Sequence, residues 1–312
     1  MADSSHIQWT DATWNPVTGC TKVSEGCRHC YIERTPPFRT SRRRFTGPHG
    51  AGEPGATTGV QLHPNRLDWP LRWRRGRRVF VNSLSDLFET SVPDGFIAQV
   101  FQMMAAAPQH TFQVLTKRPG RMASLVPRLP GLINRNTLAL VEPRARVTTW
   151  PLPNLWLGTS VENQQAADLR IPPLLATLAA VRFLSCEPLL GPVDLGLAIC
   201  KQTAPSYRHG PRLTTVHLGD TVNGGCCQRA LRDAGLHWVI VGGESGPGAR
   251  PMRPEWAGDL IAQCEPAGVA AFVKQLGSVW ARQHGADAKG GDPTTWPPKL
   301  RIRHYPASGA QP

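Results

Sequence analysis

Short runs of β-branched and aromatic residues recur along the chain: RVFVNS (78–83), TFQVLTK (111–117), LWLGTSV (155–161), RFLSCEP (182–188), HWVIVGG (237–243) and AAFVKQL (270–276). Helix-like stretches separate several of them. In PDGFIAQVFQMMAAAP, Phe96, Val100, Met103 and Met104 fall at helical spacing behind Pro93 and Asp94. ENQQAADLRIPPLLATLAA and PEWAGDLIAQCEPAG follow the same pattern less clearly, the first interrupted by Pro172 and Pro173. Strand and helix alternating in this way predict βα units around a parallel sheet.

The residues that follow each predicted strand are polar. They are Asn82, Ser83 and Asp86; Thr116, Lys117 and Arg118; Ser160, Glu162 and Asn163; Ser185, Cys186 and Glu187; Gly242, Gly243, Glu244 and Ser245; and Lys274 with Gln275. A parallel βα barrel delivers the carboxyl ends of all its strands to one face, so these scattered residues are expected at a single mouth. Asp86 is open to two readings, orienting a neighbour or capping the next helix.

At 312 residues and 40% hydrophobic content, the chain reads as one α/β domain over 1–312 with insertions. Residues 35–65, rich in Gly, Pro and Arg, read as a flexible basic excursion. Residues 198–235, which carry Cys200, His209, His217, Cys226 and Cys227, put too much chain between two strands for a simple connection. Residues 285–312 read as a carboxyl-terminal tail.

Charge adds a partner. The net charge is +13, and residues 1–80 hold 13 Lys and Arg against 6 Asp and Glu. Two runs dominate: Arg39, Arg42, Arg43 and Arg44, then Arg72, Arg74, Arg75, Arg77 and Arg78 with Trp69 and Trp73 interleaved. Guanidinium groups beside aromatics suit phosphate contact and base stacking; the competing reading is a solvated face, since Arg outnumbers Lys 29 to 6 throughout. No apolar stretch approaches the roughly 20 residues of a membrane span, and MADSSHIQWTDATWNP lacks the features of a secretion signal. A cytoplasmic protein with no membrane partner is expected.

In a reducing compartment, clustered cysteines point to ligation or catalysis rather than disulfides. GCTKVSEGCRHCY places Cys20, Cys27 and Cys30 at C-x6-C-x2-C. Structural zinc wants four protein ligands, the fourth to come from Cys186, the 198–235 insertion or His29. A 4Fe–4S cluster held by three thiolates leaves one iron open to a small molecule. Unligated thiols are the third reading.

GCRHCY, followed by Ile32 and Glu33 and lying ahead of a βα series, resembles the cluster loop of radical S-adenosylmethionine enzymes such as spore photoproduct lyase. The chain is also similar to the phage and prophage three-cysteine-motif family of uncharacterised proteins. The similarity runs, in order, through IQWTDATWNPVTGCTKVSEGCRHCY, RVFVNSLSDLFETSVP, HTFQVLTKRPGRM, LWLGTSVENQQAADLRIPPLL, RFLSCEPLLGPVDL, HWVIVGGESGPGARPMRPEW and FVKQLG. The resemblance implies a partial (β/α) TIM-like barrel of the radical SAM type with Arg-rich and Cys/His-containing insertions. It implies a 4Fe–4S cluster on Cys20, Cys27 and Cys30, with S-adenosylmethionine on the open iron and an external electron donor. Glu162, Gly242, Gly243, Glu244 and Ser245 would bind the cofactor; Lys117, Glu187 and Lys274 would carry catalysis. Charge and phage kinship make the substrate a nucleic-acid base or nucleotide, with Arg42, Arg43, Arg44, Arg74, Arg75, Arg77 and Arg78 on its phosphates. Two departures are plain: the superfamily spacing is C-x3-C-x2-C, and its Gly-Gly-Glu segment follows an early strand, whereas VGGESG follows a late one. Two other readings stand beside this one, a zinc-stabilised nucleic-acid-binding protein without catalysis and a metal-dependent nuclease using Asp86, Glu162, Glu187 and Glu244.

Overall fold

All of the predicted apolar runs become strands, and one that the pattern missed joins them at the edge. The computed structural model describes residues 5–135, 147–196 and 235–307. In chain order its elements are β1 (Ala12–Trp14), β2 (Val17–Thr18), α1 (Pro36–Thr40), β3 (Gln61–Leu62), β4 (Arg78–Val81), α2 (Asp94–Ala106), β5 (Thr111–Thr116), α3 (Pro119–Leu125) and α4 (Leu129–Arg135). There follow β6 (Leu155–Ser160), α5 (Gln164–Leu175), β7 (Val181–Cys186), β8 (Trp238–Gly242), α6 (Pro254–Cys264), β9 (Ala270–Gln275) and α7 (Ser278–His284). The seven-stranded sheet has the order β1-β4-β5-β6-β7-β8-β9, and every pair in it is parallel. Each connection steps one strand further in the same direction, and the sheet curls into a half-barrel, a partial (β/α) barrel. β2 and β3 form a separate antiparallel pair.

Alternation along the strands builds two cores. Val79, Val81, Phe112, Val114, Leu155, Leu157, Leu184, Val239, Val241 and Val273 face the helices, packing with Phe96, Val100, Leu174 and Leu260. Phe80, Trp156, Phe183, Trp238, Ile240 and Phe272 point into the curl, where Trp9 closes them off. The Trp9 and Phe80 rings lie 4.7 Å apart and those of Trp156 and Trp238 5.7 Å apart, within the range of favourable aromatic pairing. With both faces covered, β6 and β8 are buried along their whole length; β8 (WVIVG) reads as an unbroken apolar run, and β6 (LWLGTS) opens as one before its buried Thr159 and Ser160.

Helix α5 runs through Pro172 and Pro173 instead of breaking there. The prolines cost two intrahelical hydrogen bonds, but Leu169, whose carbonyl loses one of them, is 68% exposed and can be solvated. Residues 35–65 fold back on the cysteine loop: Phe38, Phe45 and Ala56 are buried with Ile32 in a satellite core that Cys20 and Cys30 pack against. The stretch after residue 285 returns to the sheet, with Trp296 and Leu300 in the main core. There the Val273 N–H donates to the Ile302 carbonyl at 2.8 Å and the His304 N–H to that of Ala271 at 2.9 Å. Cys200, His209, His217, Cys226 and Cys227 lie outside the described residues. Among the described residues no helix is long and apolar enough to cross a membrane.

Gly158 of β6 lies close against the aromatic core of the curl, because a Cβ there would lie 2.6 Å from the Phe183 ring. Gly158→Ala is expected to cost about 1–3 kcal/mol by overpacking. The cost should read as a lower denaturant midpoint at unchanged slope, with Phe183→Leu recovering part of it in the double variant.

Candidate active site

The cysteine loop lies across the carboxyl-terminal ends of the strands, and the loop that follows each of several strands holds it there. The Gly19 N–H donates to the Leu84 carbonyl after β4 at 2.9 Å. Arg118, after β5, donates to the Thr21 carbonyl at 2.9 Å. Ser24 Oγ donates to Glu162 Oε1, after β6, at 3.0 Å, and Arg250, after β8, donates to the Glu25 carbonyl at 3.1 Å. Gly26 permits the closest approach: a Cβ at that position would lie 2.3 Å from the Glu162 carboxylate.

Glu162 is the centre of this contact. It is 1% exposed and pairs with Lys117 and Arg170, each at 2.8 Å, besides accepting from Ser24. Burial alone would push its carboxyl up, but the two cations outweigh burial and hold it at about 2. Burial likewise disfavours the Lys117 ammonium, and Glu162 reverses that, raising Lys117 above its usual range.

The other predicted carboxylates are also paired. Lys274 Nζ lies 2.6 Å from Glu187 Oε1, bringing the ends of β9 and β7 together, and Gly242 leaves room for the Glu187 side chain beside it. Arg118 pairs with Asp86 at 3.0 Å; Asp86 also accepts from Thr116 Oγ1 at 2.7 Å and from the Lys117 N–H at 3.0 Å. Asp86 thus orients its neighbours and also accepts from the Phe88 N–H at 3.0 Å. Glu244 is held by Arg250 through both carboxylate oxygens, at 2.8 and 3.0 Å, and Arg250 reaches on to Glu25 at 3.1 Å. Burial raises the Glu244 carboxyl, but the Arg250 hydrogen bonds bring it below its usual value. Gly243 packs against the Leu276 carbonyl, and Ser245 sits half-buried on the same loop.

Cys20, Cys27 and Cys30 are free thiols. Burial pushes Cys20 and Cys30 up; Asp86, Cys27 and Cys30 raise Cys20 further and Cys27 raises Cys30. Cations oppose this in part, Arg118 at Cys20 and Lys117 with Lys22 at Cys30. Lys22 is buried, with its Nζ on the Arg28 carbonyl at 2.8 Å. His29 rests against Gly248. Among the described residues, no three His, Cys, Asp or Glu side chains are placed as ligands of one metal ion. A cubane cluster makes a different demand, since each thiolate binds its own iron and the sulfurs stand farther apart than ligands of a single ion.

The two arginine runs lie at opposite ends of the sheet. Arg43 sits beside the cysteine loop, but its guanidinium is used internally, on the carbonyls of Thr18, Thr58 and Gly59, with Phe38 below it. Arg42 and Arg44 are exposed there. Arg74, Arg75, Arg77 and Arg78 precede or begin β4, at the end away from the mouth. Arg78 pairs with Asp11 at 2.8 Å and lies over Tyr305, Arg77 lies over Trp73, and Arg74 and Arg75 are exposed. The structure adds Ser24, Tyr31, Arg170 and Arg250 to the mouth, residues with no local pattern to mark them.

A family model described as "Protein of unknown function (DUF5131)" matches residues 4–296. No curated protein and no solved structure matches the chain.

Glu162→Gln should leave Lys117 and Arg170 without a counter-charge and cost about 3–5 kcal/mol. Because folding lowers the Glu162 carboxyl from 4.5 to about 2, its contribution is complete above about pH 4.5 and is lost as pH falls toward 2. Denaturant midpoints measured across that window should fall steeply for the wild type and less for the variant.

Proposed function

We propose that this chain, which belongs to the DUF5131 family of proteins of unknown function, is an iron–sulfur enzyme of the radical S-adenosylmethionine type that acts on a nucleic-acid base or nucleotide. The observation that carries the proposal is the position of three free thiols, Cys27 buried and Cys20 and Cys30 half-buried, on a loop held across the mouth of a partial barrel, with Arg118, Lys117 and Lys22 near them. Burial keeps unligated thiols protonated, whereas thiolate ligands to iron place several negative charges in one spot. The nearby cations, two of them shared with Glu162 and Asp86, would offset part of that charge.

Cys20, Cys27 and Cys30 would hold the cluster, with S-adenosylmethionine on its open iron. Bound there, the pair supplies one-electron reductive cleavage of the sulfonium, fed by an external electron donor, chemistry that no side chain performs. The protein's own residues orient and insulate. Glu162 and Arg250 pin the cysteine loop over the strand ends, and the aromatic residues inside the curl close the far end to water. Lys274 and Glu187 present a polar pair at the mouth, one able to donate and the other to accept. In the nuclease reading Asp86, Glu162, Glu187 and Glu244 would bind metal, but each is already held by a cation, which favours positioning roles for them.

Anaerobic reconstitution with iron and sulfide should give broad visible absorbance that dithionite bleaches, and Cys27→Ala should abolish it. The loaded protein should convert S-adenosylmethionine to methionine and 5′-deoxyadenosine. Stoichiometric zinc with no iron uptake would replace this reading with the zinc-stabilised binding protein.

Nucleic-acid contact has its own test, because affinity governed by phosphates falls linearly with log salt, by roughly 0.7–0.9 per contact. Arg42→Gln with Arg44→Gln should flatten that slope if substrate enters at the mouth. Arg74→Gln with Arg75→Gln should leave it unchanged, since those side chains lie at the opposite end.

A further inference from the structure

The buried carboxylates of the mouth each meet a cation, but the cysteine loop holds one buried charge that meets no opposite. Lys22, two residues after Cys20, is 4% exposed. Asp86, Glu89, Glu162, Arg170 and Glu244, the other charged side chains buried among the described residues, each form an ion pair. Lys22 has no such partner. Its ammonium donates to the Arg28 carbonyl at 2.8 Å and lies 4.2 Å from the centre of the Phe45 ring, and among the described residues no carboxylate pairs with it.

Those two contacts fix where the charge sits. Arg28 lies between Cys27 and Cys30, so the Lys22 side chain crosses the loop from its Cys20 end to its Cys27–Cys30 end. Phe45 belongs to the small core against which Cys20 and Cys30 pack. The ammonium is therefore enclosed by the same turn of chain that carries the three thiols. A carbonyl and a ring face offer it only partial charges, and a buried cation without a full counter-charge is costly. Protonated thiols supply none. Ligation changes this, because metal binding takes their protons and leaves thiolates. Lys117 and Arg118 already serve Glu162 and Asp86, so of the three cations near the thiols Lys22 is the one whose charge is uncommitted.

We infer that Lys22 is a positioning residue that supplies the built-in counter-charge of a thiolate-bound centre, so that the loop is electrostatically complete only when Cys20, Cys27 and Cys30 are ligated. That a centre is bound there rests on the reading proposed above; the assignment of Lys22 rests on its burial and its missing partner. A positive charge beside such a centre favours the more negative, reduced form. Lys22 therefore raises the reduction potential as well as the affinity.

The test uses the full-length protein with two variants, Lys22→Met, which keeps the stem and removes the charge, and Lys22→Gln, which keeps an N–H donor without charge. Metal-free and with the thiols reduced, both should show a denaturant midpoint at or above that of wild type. Loaded anaerobically with iron and sulfide, both should favour the oxidised centre about tenfold more, read in a redox titration as a midpoint about 59 mV lower. Zinc alone, measured by chelator competition, should bind both variants about tenfold more weakly. The zinc arm separates the two ideas: weakened zinc binding in a protein that takes up no iron sinks the radical reading and upholds the counter-charge. A metal-free midpoint that falls in both variants, or a potential and zinc affinity that match wild type, overturns the assignment and leaves Lys22 a staple on the Arg28 carbonyl. Uptake of neither metal by wild type overturns the bound centre and its counter-charge together.

Discussion

One buried carboxylate ties the sheet to the loop that crosses it. Glu162 stands at the end of β6 and is shared by Lys117 from the end of β5, Arg170 from α5 and Ser24 from the cysteine loop. Removing a charge of this kind from water is expensive, and it is tolerated because two cations and a hydroxyl surround it. The geometry is correspondingly narrow, since only a glycine at position 26 lets the loop come close enough. The placement of Cys20 and Cys27 on either side of Ser24 follows from that contact.

The mouth is electrically balanced where it is deep and basic where it is shallow. Lys117, Arg118, Lys274 and Arg250 each face a carboxylate, so none presents an open charge to an incoming phosphate. Exposed Arg42 and Arg44 stand outside this zone. A small polyanion would meet paired cations and would have to displace their partners.

The strands were legible because a parallel sheet covered on both faces demands near-continuous apolar runs, and β8 and the first half of β6 are written that way. β1 was not, because Ala12–Trp14 is only three residues long and is followed at once by Asn15 and Pro16. The polar residues at the strand ends were identified as a set, but their pairings were not. Lys274 and Glu187 are far apart in the chain, and only the adjacency of strand ends through β8 joins them. The charge runs misled in a different way. Arg43 and Arg78 belong to dense basic stretches, yet one fastens loop carbonyls and the other pairs with Asp11, because a guanidinium with five donors serves internal acceptors as readily as phosphates.

A closed barrel has no edges, but a half-barrel has two, and each exposes a row of unpaired backbone groups to which another chain could add. Here β1 is too short to template much pairing, and β9 is occupied by the returning strip Ile302–His304, with the Arg303 guanidinium on the Val273 and Lys274 carbonyls. That strip works as a selvedge. It finishes the cut side of the sheet without drawing it shut, so the curl can stay open along its length instead of being stitched closed or extended into a fibre.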